Sequence, residues 1–177
     1  MYCGCNEKAL SSQRAIACAL LELLDCRSYA DIPVSLLCRT AGVSRPTFYS
    51  LFGSKDDVIA YLLRESYRYV PEAEESCGSE LESLCLGYSR YFTAQRPFLR
   101  LLVDNAVSYL LYESICESLL CCGCFLPGLE AGRRRAAASF TAGGLTGVVQ
   151  DYVVRADCSP EELEQLLRGL LGGALFG

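Results

Sequence analysis

The sequence predicts an all-α protein built from two parts, and three observations lead to this fold class. Apolar residues recur every three or four positions along most of the 177 residues, and no stretch shows the alternation of a half-buried strand. Hydrophobic residues make up 51% of the composition, so the helices can bury a sizeable core. A polar, acidic stretch at 71–79, which begins with a proline, separates two groups of predicted helices.

Four helices are predicted before this stretch. Three of them begin at a serine whose hydroxyl can cap the helix, at Ser11 or Ser12, at Ser44 and at Ser54. The other helix carries Pro33 in its first turn, where a missing N–H costs nothing, and Gly42 ends it. The predicted bounds are about 12–26, 33–40, 44–52 and 54–70.

Five more helices are predicted after the acidic stretch, and Ser159 caps the last of them. Asp104 and Asn105 are polar in an apolar neighbourhood, so they can either cap a helix or contact a ligand. The predicted bounds are about 80–95, 98–103, 105–122, 129–155 and 159–171.

Charge is unevenly distributed along the chain, whose net charge is −5. Residues 1–66 carry seven basic and seven acidic groups, so the whole negative charge belongs to residues 67–177. This balance argues against a protein that coats nucleic acid indiscriminately, but it leaves room for a local DNA-binding face.

The chain contains no histidine, which excludes several kinds of active site. Without an imidazole there is no Ser-His-Asp or Cys-His arrangement and no histidine-ligated metal site. A glycine-rich phosphate loop and a paired-carboxylate motif are also missing. We therefore expect a protein that is not an enzyme and that needs no cofactor or metal.

The same sequence predicts a cytoplasmic protein with no membrane partner. No apolar run reaches the roughly 18 residues needed to span a bilayer. The first residues lack the basic-then-apolar order of a secretory signal. The twelve cysteines are therefore expected to be reduced thiols.

The segment 34–51 (VSLLCRTAGVSRPTFYSL) is typical of a helix-turn-helix, in which a short turn containing glycine joins two helices. Cys38 is small where the helices must approach, Gly42 lies where the chain turns, and Phe48 and Leu51 are apolar where the second helix packs back. Many helical hairpins contain glycine without binding DNA. Here, however, the outward positions carry groups that read base edges and hold phosphates: Ser44, Arg45, Pro46, Thr47, Tyr49 and Ser50.

A longer stretch, 41–58 (AGVSRPTFYSLFGSKDDV), extends this pattern. An aromatic residue at Tyr49, the phenylalanine at Phe52 and the lysine at Lys55 keep fixed distances from the turn, and acids follow at the start of the next helix. With its flanks, residues 11–66, this stretch resembles the DNA-binding domain of the TetR/AcrR family of bacterial transcriptional regulators.

The resemblance implies a three-helix DNA-binding head at 1–54 and a helical effector-binding and dimerisation body at 55–177. It places the six outward-facing residues in the major groove and Lys55 at a phosphate. Two residues depart from the family pattern. Pro33 stands where a capping threonine that touches phosphate is frequent, and Leu51 stands where a polar residue is frequent, which reduces the base-reading groups.

The body is rich in aromatic residues. Rings with polar tips suit a pocket for a flat or amphipathic ligand, although they also suit ordinary helix packing. The candidate residues for a pocket that binds a small-molecule effector are Tyr88, Tyr91, Phe92, Tyr109, Tyr112 and Phe140.

The end of the chain resembles family members whose last two helices form a homodimer. Small residues in 142–147 would let two helices approach closely, or would pack inside a monomer. The candidate interface residues are Gly143, Leu145, Val148, Val149, Tyr152, Leu163, Leu166, Leu167 and Leu170.

A cluster of cysteines could form a sensor. Cys121 and Cys124 form a single Cys-x-x-Cys pair, but the sequence offers no second pair and no histidine to complete a zinc site. A structural zinc site is therefore not expected, and free thiols in a cysteine-rich chain are the simpler interpretation. The cysteines concerned are Cys116, Cys121, Cys122 and Cys124.

The resemblance thus implies a dimeric repressor that binds a pseudo-palindromic operator in double-stranded DNA and releases it when an effector binds. The alternatives are a TetR-like regulator without a small-molecule ligand, acting as an activator or through a protein partner, and a thiol or metal sensor.

Overall fold

The computed structural model describes residues 6–67, 80–122, 125–155 and 158–175. Over these ranges the chain is all-helical, as the sequence predicts, and a short 3₁₀ turn at Tyr29–Asp31 follows the first helix. The helices are α1 (Glu7–Leu24), α2 (Val34–Thr40), α3 (Arg45–Leu51), α4 (Lys55–Tyr67), α5 (Glu80–Ala94), α6 (Arg96–Asp104), α7 (Ser108–Cys121), α8 (Ala131–Val154) and α9 (Pro160–Leu175).

The chain divides into two compact units, a first unit that ends at Glu65 and a second unit that begins at Ser66. Most of α4 therefore belongs to the first unit, and its last residues belong to the second. No helix in the described part of the chain is long and apolar enough to cross a membrane.

Side-chain caps start several of the helices, and three of these caps, at Ser44, Ser54 and Ser159, are those that the sequence predicts. The hydroxyl of Ser44 accepts a hydrogen bond from the backbone of Thr47 at 3.1 Å. Ser159 and Glu162 cap α9 reciprocally, with N–O distances of 3.2 and 2.8 Å. The first helix begins earlier than predicted, because the side chain of Asn6 caps it and the serines at 11 and 12 lie inside it.

The first unit is a small helical bundle. Helix α1 packs on α2 and α3, and α2 packs on α3. The apolar stripe of each helix is buried, so this unit has its own core, formed by Ile16, Leu20, Ile32, Leu37, Phe48, Leu51, Phe52, Val58, Ile59 and Leu63.

The second unit is a larger bundle in which α8 is covered by α6 and α7, and α5 packs along α9. Its core contains Cys85, Phe92, Leu99, Leu102, Leu111, Ile115, Ala142, Leu145, Val149, Leu163 and Leu167. At the edge of the α5–α9 contact, Arg168 forms ion pairs with Glu164 at 2.7 Å and Glu82 at 2.8 Å.

The turn between α6 and α7 differs from the prediction of one helix over 105–122. The backbone N–H of Val107 returns to the carbonyl of Leu102 at 2.9 Å, which ends α6 and places Ala106 in the left-handed region at φ +57°. Asn105 acts as a cap, since its side-chain amide donates to the carbonyl of Leu101 at 2.9 Å. Helix α7 consequently begins only at Ser108.

Five of the nine residues predicted for a dimer interface are buried within the single chain, where they form part of the core between its own helices. Tyr152 shows the reason most clearly, since its carbonyl accepts a hydrogen bond from Arg96 at 3.1 Å and its hydroxyl lies 3.3 Å from that of Thr93. The buried five are Leu145, Val149, Tyr152, Leu163 and Leu167, whereas Val148 is half-buried and Gly143, Leu166 and Leu170 are exposed.

Candidate nucleic-acid interface

The turn between α2 and α3 requires glycine. Gly42 has φ +65°, a conformation that strains residues with a Cβ atom, and it lies at the turn that the sequence predicts there. The backbone N–H of Val43 closes the turn on the carbonyl of Cys38 at 2.9 Å. This turn fixes the direction in which α3 leaves α2.

The inner side of α3 packs against the other helices of the first unit. Phe48 is fully buried, with its ring 6.0 Å from that of Phe52, and Leu51 is buried beside it. Cys38 faces this core, and burial raises the pKa of its thiol, so it stays protonated and packs as a small apolar residue. Leu51 therefore cannot reach DNA, in agreement with its apolar character.

The start of α3 contains a compact hydroxyl network. Besides accepting from the backbone of Thr47, the Ser44 hydroxyl lies 2.7 Å from the Thr47 hydroxyl. The hydroxyl of Ser50 donates to the carbonyl of Thr47 at 2.7 Å. These hydroxyls stabilise the seven-residue helix, a role that the sequence predicted only for Ser44.

The outer side of α3 presents the remaining predicted DNA-contact residues. Arg45 and Pro46 are exposed in its first turn, and the Tyr49 side chain is 51% exposed. The guanidinium of Arg45 forms no hydrogen bond or ion pair with any described residue, and its charge lowers the pKa of the Cys38 thiol, an effect smaller than that of burial. The structure therefore places one guanidinium and one phenol on the surface of a rigidly held short helix.

Lys55 lies at the start of α4, where a second cap fixes it. The carboxylate of Asp57 accepts from the backbone of Gly53 at 2.7 Å and Ser54 at 3.2 Å, and the Ser54 hydroxyl accepts from the backbone of Asp57. The predicted cap at Ser54 is confirmed. It fixes the backbone direction from which the lysine side chain leaves.

The ammonium of Lys55 is bound within the protein, which sequence reasoning did not predict. It donates to the carbonyl of Tyr29 at 2.7 Å and lies 4.3 Å from the centroid of the Tyr29 ring. The Tyr29 hydroxyl in turn donates to Asp56 at 2.5 Å. Partial burial lowers the pKa of Lys55, an effect that Asp56 and Asp31 oppose.

Replacing Lys55 tests whether it also meets phosphate. One of its three N–H donors is used by Tyr29, so two remain for DNA. We expect Lys55→Ala to weaken binding to all DNA sequences about equally and to reduce the slope of log affinity against log salt by about 0.9. Loss of the bond to Tyr29 should also lower the free energy of unfolding by about 1–2 kcal/mol. Fluorescence anisotropy at several salt concentrations measures the first effect and urea unfolding the second.

Lys8→Ala, which removes an equal charge from the first turn of α1, serves as the control. A lower stability with an unchanged salt slope would contradict the phosphate contact and leave Lys55 with a structural role alone.

The aromatic residues predicted for a ligand pocket are divided by the structure. Tyr88, Tyr91 and Phe92 are buried together on α5. Tyr112 lies elsewhere, with its hydroxyl 2.6 Å from that of Ser139. Tyr109 and Phe140 are 48% and 61% exposed, so they line no interior site together with the other three. The sequence shows that these positions are aromatic, but it does not show which side of each helix faces the core.

The buried group is extended by the end of α4. The ring of Tyr67 stacks on that of Tyr91 at 4.0 Å and meets the edge of Tyr88 at 6.5 Å, while the Ser66 hydroxyl lies 2.9 Å from that of Tyr91. We name Ser66, Tyr67, Tyr88, Tyr91 and Phe92 the aromatic cluster. Burial raises the pKa of Tyr67 and Tyr88 well above the ordinary value and that of Tyr91 to about 12, so all three phenols are neutral at physiological pH.

Known proteins resemble this chain most clearly in the segment that contains α2, the turn and α3. Residues 16–62, which span the turn and α3, match the family model described as bacterial regulatory proteins, tetR family. This segment is therefore similar to the DNA-binding domain of TetR-family regulators. Segments of 49 and 51 residues are 49% and 41% identical to the HTH-type transcriptional regulators EthR of Mycobacterium tuberculosis and Mycolicibacterium smegmatis. These matches cover 28% and 29% of this chain, but only 23% and 24% of the relatives.

Solved structures similar over nearly the whole chain extend the likeness of fold to the second unit. Lin0861 of Listeria innocua matches with a TM-score of 0.78 and 13% identity, covering 96% of this chain and 94% of its own. The TetR family repressor AlkX of Dietzia sp. strain DQ12-45-1b matches with a TM-score of 0.55 and 22% identity, covering 93% and 95%. The dihydroxyacetone kinase operon activator DhaS gives a TM-score of 0.54 and 17% identity, covering 93% and 96%. The second unit thus has a TetR-like fold.

Proposed function

We propose that this protein is a dimeric repressor of the TetR type, which binds a pseudo-palindromic operator through two copies of α3 and releases it when a small molecule binds the second unit. The observation that carries the proposal is the exposed, well-capped α3, which presents Arg45 and Tyr49 on a glycine-dependent turn. The description of the structural neighbour AlkX as a repressor supports the sign of the regulation.

The outward faces of α8 and α9 support the homodimer. On α8, Phe140 and Val154 are 61% and 62% exposed, and the glycines between them are open, since a Cβ added at Gly143, Gly144 or Gly147 would meet nothing within 4 Å. On α9, Leu166 and Leu170 are 46% and 53% exposed. An apolar stripe next to glycines suits the close approach of a second copy of the same two helices, which would bury both stripes.

The aromatic cluster supports an effector site. The hydroxyl of Tyr67 is buried and has no hydrogen-bond partner in the described residues, because the nearby phenol of Tyr88 interacts with it without reaching hydrogen-bond geometry. A buried donor of this kind costs about 1–3 kcal/mol, which a ligand with an acceptor oxygen or nitrogen would recover. Because Tyr67 lies in the last turn of α4 and Lys55 in the first, a ligand that displaces the ring also acts on the helix that begins in the first unit.

The proposed function is tested with the full chain and the DNA upstream of its own gene. We expect a discrete gel-shift complex that resists excess non-specific competitor, a dimer by light scattering, and lower transcription from that promoter when the protein is present. Failure to bind any upstream fragment more tightly than competitor would contradict the proposal.

The effector site is tested by screening small molecules for those that release the operator. We expect Tyr67→Phe to weaken the response to such a molecule, since it removes the unpaired donor, and Tyr109→Phe, which alters an exposed phenol, to leave the response unchanged. An identical response in both variants would exclude Tyr67 from the site.

An activator is the second candidate, because the structural neighbour DhaS is described as an operon activator. One measurement distinguishes activation from repression. A promoter whose transcription rises with added protein would identify an activator, and one whose transcription falls would identify a repressor.

We expect the cysteine cluster to be dispensable. Cys121 and Cys122 are exposed, Cys116 is half-buried and Cys124 lies outside the described residues. Within the described part of the chain no group of cysteine, aspartate or glutamate side chains is arranged to hold a metal ion. The quadruple Cys116/Cys121/Cys122/Cys124→Ser variant should keep its operator affinity within about twofold, because little thiol burial is lost. A folded variant that loses a response to peroxide or zinc shown by the unmodified chain would support the sensor alternative.

A further inference from the structure

The polar groups of α3 fall into two sets according to what already binds them. The hydroxyls of Ser44 and Thr47 bind each other, and the hydroxyl of Ser50 binds the carbonyl of Thr47. The guanidinium of Arg45 is bound to no described residue by a hydrogen bond or an ion pair. A hydroxyl already committed to its own helix has less capacity left for a base, whereas the five donors of the arginine remain available.

Arg45 also lies at the position on α3 from which a side chain can reach the edge of a base. It is the first residue of α3, directly after the Ser44 cap. In helix-turn-helix proteins the first residues of the second helix point at base edges, while later residues and the preceding helix lie nearer the backbone. Pro46 follows Arg45 and fixes its own φ, so the backbone that carries the guanidinium is stiff.

The hydrogen-bonding pattern of the guanidinium determines which base it prefers. A guanidinium forms two parallel hydrogen bonds with O6 and N7 of guanine, and this pairing is the commonest specific contact in the major groove. Adenine places a donor where guanine has O6, so it repels one of the two N–H groups. The chain offers no second unbound cation on α3, since Arg45 is the only basic residue of that helix.

We propose that Arg45 is the principal base-reading residue of this protein, and that it selects a guanine in each half of the operator while the serine and threonine hydroxyls of α3 serve the helix. This inference rests on the proposed DNA-binding function and specifies its ligand. The hydroxyl-bearing residues then contribute to affinity through the stability of α3 and not through a choice of base.

Selection from a library of random DNA duplexes tests the assignment. The full chain, Arg45→Ala, Arg39→Ala and Ser50→Ala are each used to enrich bound duplexes, which are then sequenced. Arg39 is exposed at the end of α2, so its variant removes the same charge from the first unit without altering α3. We expect the unmodified chain, Arg39→Ala and Ser50→Ala to enrich the same guanine in each half-site, and Arg45→Ala to accept any base there.

Affinity measurements on variants of the enriched duplex identify which atoms of the guanine Arg45 contacts. Substituting that guanine by another base should weaken binding of the unmodified chain by about 5- to 150-fold and should not change binding of Arg45→Ala. Replacing it by 7-deazaguanine, which lacks the N7 acceptor, should weaken the unmodified chain by about 10-fold and again leave the variant unchanged. Circular dichroism verifies that Arg45→Ala is folded, as expected for an exposed alanine in a first helical turn.

The possible results separate the inference from the function on which it rests. If the unmodified chain enriches no sequence, the proposed operator-binding function fails. If it enriches a site but Arg45→Ala enriches the same guanine, or loses affinity equally for all sequences, the protein binds its operator and the assignment of Arg45 is overturned.

Discussion

Leu166→Asp should convert the proposed dimer into a monomer and weaken operator binding by at least about 100-fold. Leu166 is 46% exposed in the described protomer, so its leucine is not required for the fold, but a dimer would bury it on the apolar stripe of α9. A carboxylate in that position would be desolvated without a partner. Two tethered recognition helices bind far more tightly than one, because the second contact is made at a high effective concentration. Light scattering and anisotropy on the same samples measure both effects.

A second variant and a control make this test independent of folding. Gly143→Arg places a long side chain in the open space on α8, and it should also give monomers while replacing a helix-interior glycine by a better helix former. Ser83→Asp adds the same charge as Leu166→Asp in the exposed first turn of α5 and should stay dimeric. A Leu166→Asp protein that remains dimeric, or a monomer that keeps full operator affinity, would refute the interface through α8 and α9.

Phe48→Ala should have the opposite pattern, with the dimer retained and the first unit destabilised. Phe48 is fully buried at the centre of a small core, where it contacts the ring of Phe52, and Phe52 lies 5.8 Å from Tyr61. Truncation of a buried phenylalanine costs about 3–5 kcal/mol, which is a large share of the stability of a domain of this size. Operator binding should be lost because α3 is no longer held in place. Urea unfolding and the rate of amide exchange in α1–α4 measure the change.

Phe48→Leu is the matched variant, since it keeps most of the apolar volume and should cost less than about 2 kcal/mol. If Phe48→Ala unfolds no more easily than the unmodified chain, the buried ring does not hold α3. If it loses the dimer as well, the two units are not independent in stability.

The features that were predicted correctly depend on neighbours in the sequence. A cap joins residues two or three positions apart, and a tight turn needs one glycine, so Ser44, Ser54, Ser159 and Gly42 were recognisable without a structure. The helical class followed from spacing for the same reason. The start of α1 was misplaced because Asn6 and the serines at 11 and 12 are equally acceptable caps in sequence, and only Asn6 is used.

The features that were not predicted depend on distant parts of the chain. The bond from Lys55 to the Tyr29 carbonyl joins residues 26 positions apart, and Tyr29 lies in a 3₁₀ turn too short to show any periodicity. The sequence likewise ranked Tyr91 and Phe140 together as aromatic, because their opposite environments arise from the packing of α5 and α8 in the second unit. Ala106 gave no signal of a left-handed turn, since the position is one that glycine usually takes.

The hydroxyl network of α3 has a consequence for how such a protein can change over generations. Ser44, Thr47 and Ser50 hold the helix from within, so mutations there alter stability and are removed by selection for a folded chain. Arg45 and Tyr49 are exposed and their side chains take no part in these bonds, so a new side chain at either position leaves the network intact. A duplicated copy of the gene could therefore acquire a new target site by one or two codon changes without passing through an unstable intermediate.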